Sequence, residues 1–125
     1  MNARPLVSLV DDSESVRESL PDLLRHVGFD VAAFDSAEAF LASDALDRTN
    51  CLLLDVGLPG MSGPDLQRVL SDRGSKIPVV FITAQSEQSL RPRLLAQGAV
   101  AVLQKPFGDD TLLDAVQEAL NRQAE

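Results

Sequence analysis

Five residues able to handle phosphate and hard cations stand at the ends of apolar runs: Asp11 and Asp12 after residues 6–10, Asp55 after 51–54, Thr83 after 78–82, and Lys105 just beyond 100–103. In open α/β sheets ligands collect outside the carboxyl ends of the strands, so each side chain falls where a site can form. Three carboxylates crowded together repel one another unless one is protonated or a cation sits among them. A hard divalent ion answers that repulsion, and Mg²⁺ is typically held by one or two carboxylates together with waters and a phosphate. Lys105 adds a mobile point charge suited to phosphoryl oxygens. Thr83 adds a hydroxyl, and backbone N–H groups just after it can donate as well. Carboxylate, metal, ammonium and hydroxyl together suit phosphoryl transfer onto an oxygen nucleophile, where positioning and charge neutralisation do most of the catalysis. Taken singly, each residue has an ordinary use as a turn residue, helix start or solvated charge. Only their convergence carries the chemistry.

Convergence requires the runs to be parallel strands of one sheet. Residues 51–54, Cys-Leu-Leu-Leu, read as a strand buried on both faces, and the run 31–34 as a weaker strand nearer an edge. Between the strands, apolar positions recur at helical spacing: Val16, Leu20, Leu23, Leu24 and Val27, then Ala37, Phe40 and Leu41, then Leu66, Val69 and Leu70, and last Leu112, Leu113, Val116 and Leu120. Ser13 or Ser15, Asp35 or Ser36, and Asp109 or Asp110 are expected as helix caps, and Gly63-Pro64 as a helix start. Gly28, Gly74 and Gly98 mark helix ends. Pro21 removes a bond to the Arg17 carbonyl and is expected to bend its helix. Residues 85–97 are the least regular, and Arg91-Pro92-Arg93 predicts a helix that starts late and is short. His26, the single histidine, lies in a last helical turn, where a cation is favourable, and is assigned a structural role. Arg91 and Arg93 read as solvated, and Phe107 as packing after the Lys-Pro bond. The pattern is a doubly wound α/β fold with a five-stranded parallel sheet covered on both faces, expected as one domain across residues 1–125 with no second domain.

Composition narrows the function classes. A chain of 125 residues, 45% apolar, is long enough for its own core. No apolar run approaches the ~20 residues of a membrane span, and the first residues lack the apolar region of a signal peptide. Cys51 is the only cysteine and lies within an apolar run, so no internal disulfide forms and burial explains it. These features suggest a cytoplasmic location. A net charge of −8 argues against direct binding of nucleic acid, which needs a basic face.

The Asp11-Asp12 pair, Asp55 within Asp-Val-Gly-Leu-Pro-Gly-Met-Ser-Gly, Thr83-Ala84 and Lys105-Pro106-Phe107, in this order and spacing, resemble the receiver domain of two-component response regulators. The likeness extends over nearly the whole chain. The loop after Asp55 and Gly98-Ala99-Val100 are most similar to receivers of nitrogen-fixation type, which precede a LuxR-like helix-turn-helix. The resemblance implies a CheY-like fold with strand order 2-1-3-4-5. It implies Asp55 as phosphoacceptor from a sensor histidine kinase or histidine phosphotransfer protein. It implies Mg²⁺, with Mn²⁺ as a substitute, on Asp12, Asp55 and the Gly57 backbone carbonyl, Asp11 acting through water. Thr83 and Lys105 would bind phosphoryl oxygens and report to the surface of the fourth helix, fifth strand and fifth helix. Self-phosphorylation and some hydrolysis follow, without turnover of an outside metabolite. Transcription regulation and a phosphorylation-dependent homodimer are both compatible with the resemblance.

Three departures qualify the resemblance. Val102 stands three residues before the lysine, where the family usually carries Tyr or Phe, so an aromatic swing cannot be the readout. Gly57, two residues after Asp55, replaces a larger side chain, which implies fewer side-chain contacts to an attacking water. Pro92 interrupts the signalling helix. Three rival readings make different demands on these residues. A haloacid-dehalogenase-like phosphatase needs a second Asp at position 57, and a mononucleotide-binding flavodoxin-like module needs a phosphate loop after the first strand. A degenerate receiver used as a constitutive interaction module is compatible with Val102.

Overall fold

Five apolar runs lie side by side as one parallel sheet in the computed structural model, which describes residues 4–124. They are β1 (Leu6–Val10), β2 (Asp30–Phe34), β3 (Cys51–Asp55), β4 (Val79–Thr83) and β5 (Ala101–Gln104), in the order β2-β1-β3-β4-β5. The helices α1 (Glu14–His26), α2 (Ala37–Leu41), α3 (Gly63–Asp72), α4 (Arg91–Ala96) and α5 (Asp109–Ala124) alternate with them. This is the doubly wound arrangement that the alternating pattern implied, with the strand order that the family resemblance implied.

Strands β1, β3 and β4 are buried along their whole length, whereas β2 at the edge is not. Because successive strand residues face opposite ways, each strand feeds two cores. Leu52, Leu54, Phe81 and Val102 pack with Phe40, Leu66, Leu70 and Leu94 of α2, α3 and α4. Leu9, Leu53, Val80 and Ile82 pack with Leu24, Leu112 and Val116 of α1 and α5. Each such fully buried side chain contributes about 1.5–3 kcal/mol, so the sheet is a rigid platform for whatever its ends carry. Cys51 belongs to the second core, and burial pushes its thiol pKa to about 12. Phe107 packs against the same core, as expected.

Local departures from expectation have physical causes. Strand β4 begins at Val79 because Pro78 has no N–H to give; its carbonyl still accepts from Leu52 N–H at 3.0 Å. Strand β5 is likewise one residue later than expected. Helix α1 runs through Pro21, which is buried, and His26 lies in its last turn. Val27, expected on the apolar stripe, is instead 44% exposed at the C-cap. Ser13 holds the N-cap position of α1, yet its side chain makes no capping bond. Ser36 does cap α2, accepting from Ala39 N–H at 3.1 Å. Neither Asp109 nor Asp110 caps α5: the Gly108 carbonyl accepts its first bond, from Leu112, and both carboxylates sit in the first turn, where the helix dipole favours them.

A 3₁₀ turn over Asp44–Asp47 was not anticipated. The irregular stretch resolves into a 3₁₀ turn, Gln85–Leu90, followed by the short α4 with Pro92 in its first turn, as Pro92 predicted. Gly74 and Gly98 follow α3 and α4 at φ of 75° and 106°, a region that side chains with a Cβ rarely adopt. Among the described residues no helix is long and apolar enough to cross a membrane.

Candidate functional site: an acidic pocket at the sheet rim

Register brings the acidic residues together. Val10 pairs with Leu54, so Asp11, next along its chain, comes level with Asp55 on the adjoining strand. The Asp11 N–H donates to the Phe34 carbonyl at 3.1 Å, which extends β1's pairing with β2 to the rim. Carboxylate oxygens of Asp11, Asp12 and Asp55 all lie within 4.8 Å of one another. Asp11 is fully buried, Asp55 is 7% exposed and Asp12 faces solvent. On the other side, Thr83 pairs with Gln104, and Lys105 N–H donates to the Thr83 carbonyl at 2.8 Å. The Lys105 ammonium stands 3.1 Å from Asp11 Oδ2. The peptide bond between Lys105 and Pro106 is cis.

The electrostatics of this cluster are unfavourable as it stands. Asp11 Oδ1 accepts the Ser13 N–H at 2.8 Å. Asp11 Oδ2 is different: the lysine approaches it outside hydrogen-bond geometry, leaving a buried oxygen without a hydrogen bond among the described residues. The Asp55 carboxyl pKa is raised from 3.8 to about 6, first by burial and then by the negative charge of Asp11. The Gly57 N–H, 3.1 Å from Asp55 Oδ1, and the Lys105 charge pull the other way, while contact with the Asp12 carboxyl adds to the rise. An unsatisfied buried oxygen and three hard oxygen donors in reach of one another fit a divalent cation of the Mg²⁺ type.

Thr83 is fully buried. Its hydroxyl donates only at 3.5 Å, to the Leu103 carbonyl, and accepts from Gln88 Nε2 at 3.1 Å. The donor proton is thus weakly engaged. His26 ends α1 on the side of the sheet away from this rim and takes no part. Arg91 and Arg93 are exposed, as expected.

Several residues at the rim escaped sequence reasoning. Gly63 must be glycine, because a Cβ there would run into the Asp55 carbonyl oxygen. Arg17 Nη1 donates to the Asp11 carbonyl at 2.8 Å. Glu87, from the 3₁₀ turn, accepts the Ala84 N–H at 2.9 Å, and its Oε2 lies 2.9 Å from where a Cβ on Gly57 would stand. The space above Gly57 is therefore filled from another segment. The capping rule that finds such carboxylates looks for Ser or Thr three residues earlier, and Ala84 gave no such signal.

A family model of the response regulator receiver domain matches residues 7–117. The chain belongs to this family. Nodulation protein W of Bradyrhizobium diazoefficiens is 45% identical over 121 residues, which are 97% of this chain and 53% of that protein. The transcriptional regulatory protein TdiR of Thauera aromatica is 42% identical over 114 residues, 91% of this chain and 50% of that one. Among solved structures, the response regulator StyR superposes with a TM-score of 0.90 at 44% identity, over 98% of this chain and 62% of StyR. The structure of FixJ-N superposes with a TM-score of 0.85 at 38% identity, over 97% of this chain and 96% of that one. This receiver spans about half the length of the curated relatives it matches. Its function is that of a receiver in two-component signalling.

Proposed function

We propose that Asp55 accepts a phosphoryl group from the phosphohistidine of a sensor histidine kinase or histidine phosphotransfer protein. The single observation that carries this reading is the buried Asp55 carboxyl among Asp11 and Asp12 at the rim, with Lys105 leaning on Asp11. In the transfer, an Asp55 oxygen forms the new bond to phosphorus as the phosphorus–nitrogen bond breaks, and the histidine nitrogen keeps the electron pair. Asp55 must be ionised to attack, so whatever lowers its proton affinity promotes the step. Gly57 N–H holds Oδ1 and leaves Oδ2 for the nucleophile.

Asp12, Asp55 and the Gly57 carbonyl would hold Mg²⁺ or Mn²⁺, with Asp11 acting through water. Bound there, the ion supplies positive charge that neutralises the carboxylates and the incoming phosphoryl oxygens. Lys105, 33% exposed in its side chain, can leave Asp11 for a phosphoryl oxygen, and the weakly engaged Thr83 hydroxyl can donate to another. Hydrolysis of the resulting acyl phosphate resets the domain, so the chain catalyses changes of its own state only. The surface that changes is that of α4, β5 and α5. Its user is an output domain, a separate effector or a second copy, in the cytoplasm where kinases form phosphohistidine. Domain boundaries follow the same reading: residues 1–125 form one receiver.

Incubation with acetyl phosphate and Mg²⁺, followed by intact mass, tests this directly. Wild type should gain one phosphoryl group, Asp55→Asn none, and EDTA should abolish the gain. No adduct, with Mg²⁺ binding still measurable, would point instead to a constitutive interaction module, the reading that the buried aliphatic Val102 favours.

A further inference from the structure

Two side chains of the Gln85–Leu90 turn reach back to the phosphoryl site, and neither is explained by packing. Glu87 takes the Ala84 N–H at 2.9 Å, and Gln88 gives a hydrogen bond to the Thr83 hydroxyl at 3.1 Å. Thr83 and Ala84 follow Ile82, the register partner of Asp55, so these are groups at the same rim that an anionic phosphoryl oxygen would seek. Glu87 is only half-buried and pairs with no cation among the described residues, so its carboxylate is held there by the amide alone. Its other oxygen occupies the space that Gly57 leaves vacant. Gly57 is therefore bracketed, its N–H on Asp55 and its Cα face against Glu87.

Resting on the phosphoacceptor reading of Asp55, we propose that Glu87 is a built-in competitor anion that latches the 85–90 turn onto the phosphoryl site and is evicted when Asp55 carries phosphate. One N–H cannot serve two acceptors at full strength, and two anions cannot share one small cradle without repulsion. Eviction frees the turn, and the turn runs without a break into α4 at Arg91. Leu90, the last residue of the turn, packs on the core that holds Val102, Phe81 and Leu94. The latch thus links phosphate to the α4 surface without an aromatic at position 102. Glu87 is a positioning residue in this scheme: it sets the cost of the phosphorylated state and touches no reacting atom.

Beryllium fluoride, which forms a tetrahedral adduct on a carboxylate and imitates an aspartyl phosphate, gives the test. Binding in the presence of Mg²⁺ is measured for wild type, Glu87→Ala, Glu87→Gln and Asp55→Asn, with amide hydrogen exchange across residues 85–90. Glu87→Ala should bind on the order of tenfold more tightly than wild type, the size of one hydrogen bond to a charged group. Glu87→Gln should fall between them, since its amide oxygen still accepts from Ala84 without the charge. Exchange in the turn should rise when wild type binds the anion, and be high already in free Glu87→Ala. Equal or weaker binding by Glu87→Ala, or a turn whose exchange ignores the anion, overturns the latch and leaves Asp55 the acceptor. No binding by any variant, or binding that survives Asp55→Asn, overturns the acceptor reading and the latch with it.

Discussion

Asp55 is held in a place that disfavours its own charge, and this has a measurable consequence for stability. Its pKa is about 6 in the folded chain against 3.8 for an ordinary aspartate, because burial and Asp11 outweigh Gly57 N–H and Lys105. Between those values the native state binds more protons than the unfolded one, so stability falls as pH rises. The contribution is fully present below the unfolded pKa and is lost as pH climbs through the folded one. Two pKa units correspond to about 3 kcal/mol, shared across the coupled cluster. In EDTA, Asp55→Asn should therefore match wild type near pH 4 and exceed it by about 2–3 kcal/mol near pH 7, read by urea unfolding. A difference between the two proteins that stays flat with pH would sink this account. Position 63 offers a second check, through geometry alone. Gly63→Ala drives a methyl group into the Asp55 carbonyl and should cost about 1–3 kcal/mol, a loss that urea midpoints would show.

At the scale of elements, the rim depends on how each helix begins. Helix α3 starts with a reciprocal pair: Ser62 Oγ accepts the Asp65 N–H at 3.2 Å, and Asp65 Oδ2 accepts the Ser62 N–H at 3.3 Å. This pair fixes the end of the loop that leaves Asp55. Ser62→Ala should lower stability by about 1 kcal/mol, and an unchanged urea midpoint would show that Pro64 suffices as a start signal. At the start of α1, the residues that look like caps do another job. Ser13 gives its N–H to Asp11 rather than capping, so a serine that reads as a helix signal serves the acidic site. Pro92 was informative for the opposite reason: proline's fixed φ and missing N–H are local properties, and they set the late start of α4 wherever the segment packs.

For the whole molecule, a net charge of −8 and three carboxylates within reach of one another lead to the expectation that a divalent cation stabilises the fold. A ligand that binds only the native state stabilises it by RT ln(1 + [L]/Kd), about 2.7 kcal/mol at a hundred times Kd. Thermal unfolding should accordingly move up with Mg²⁺, return with EDTA, and respond much less in Asp55→Asn. Equal responses in both proteins would place the ion elsewhere. The parallel sheet, the three carboxylates, Thr83 and Lys105 were legible because each obeys a short-range rule: an apolar run sets a strand, and the residue after it lands at the sheet's rim. The strand order came from the family resemblance alone. The sequence by itself thus determined the fold class, the set of charged groups that meet and the late, short α4. Only the tertiary structure decided that Lys105 rests on Asp11, that Asp11 Oδ2 is left without a hydrogen bond, that Gly63 admits no side chain and that Glu87 fills the space over Gly57. Those facts depend on distances between segments far apart in the chain, and such distances exist only once the two cores have packed and fixed the register of neighbouring strands.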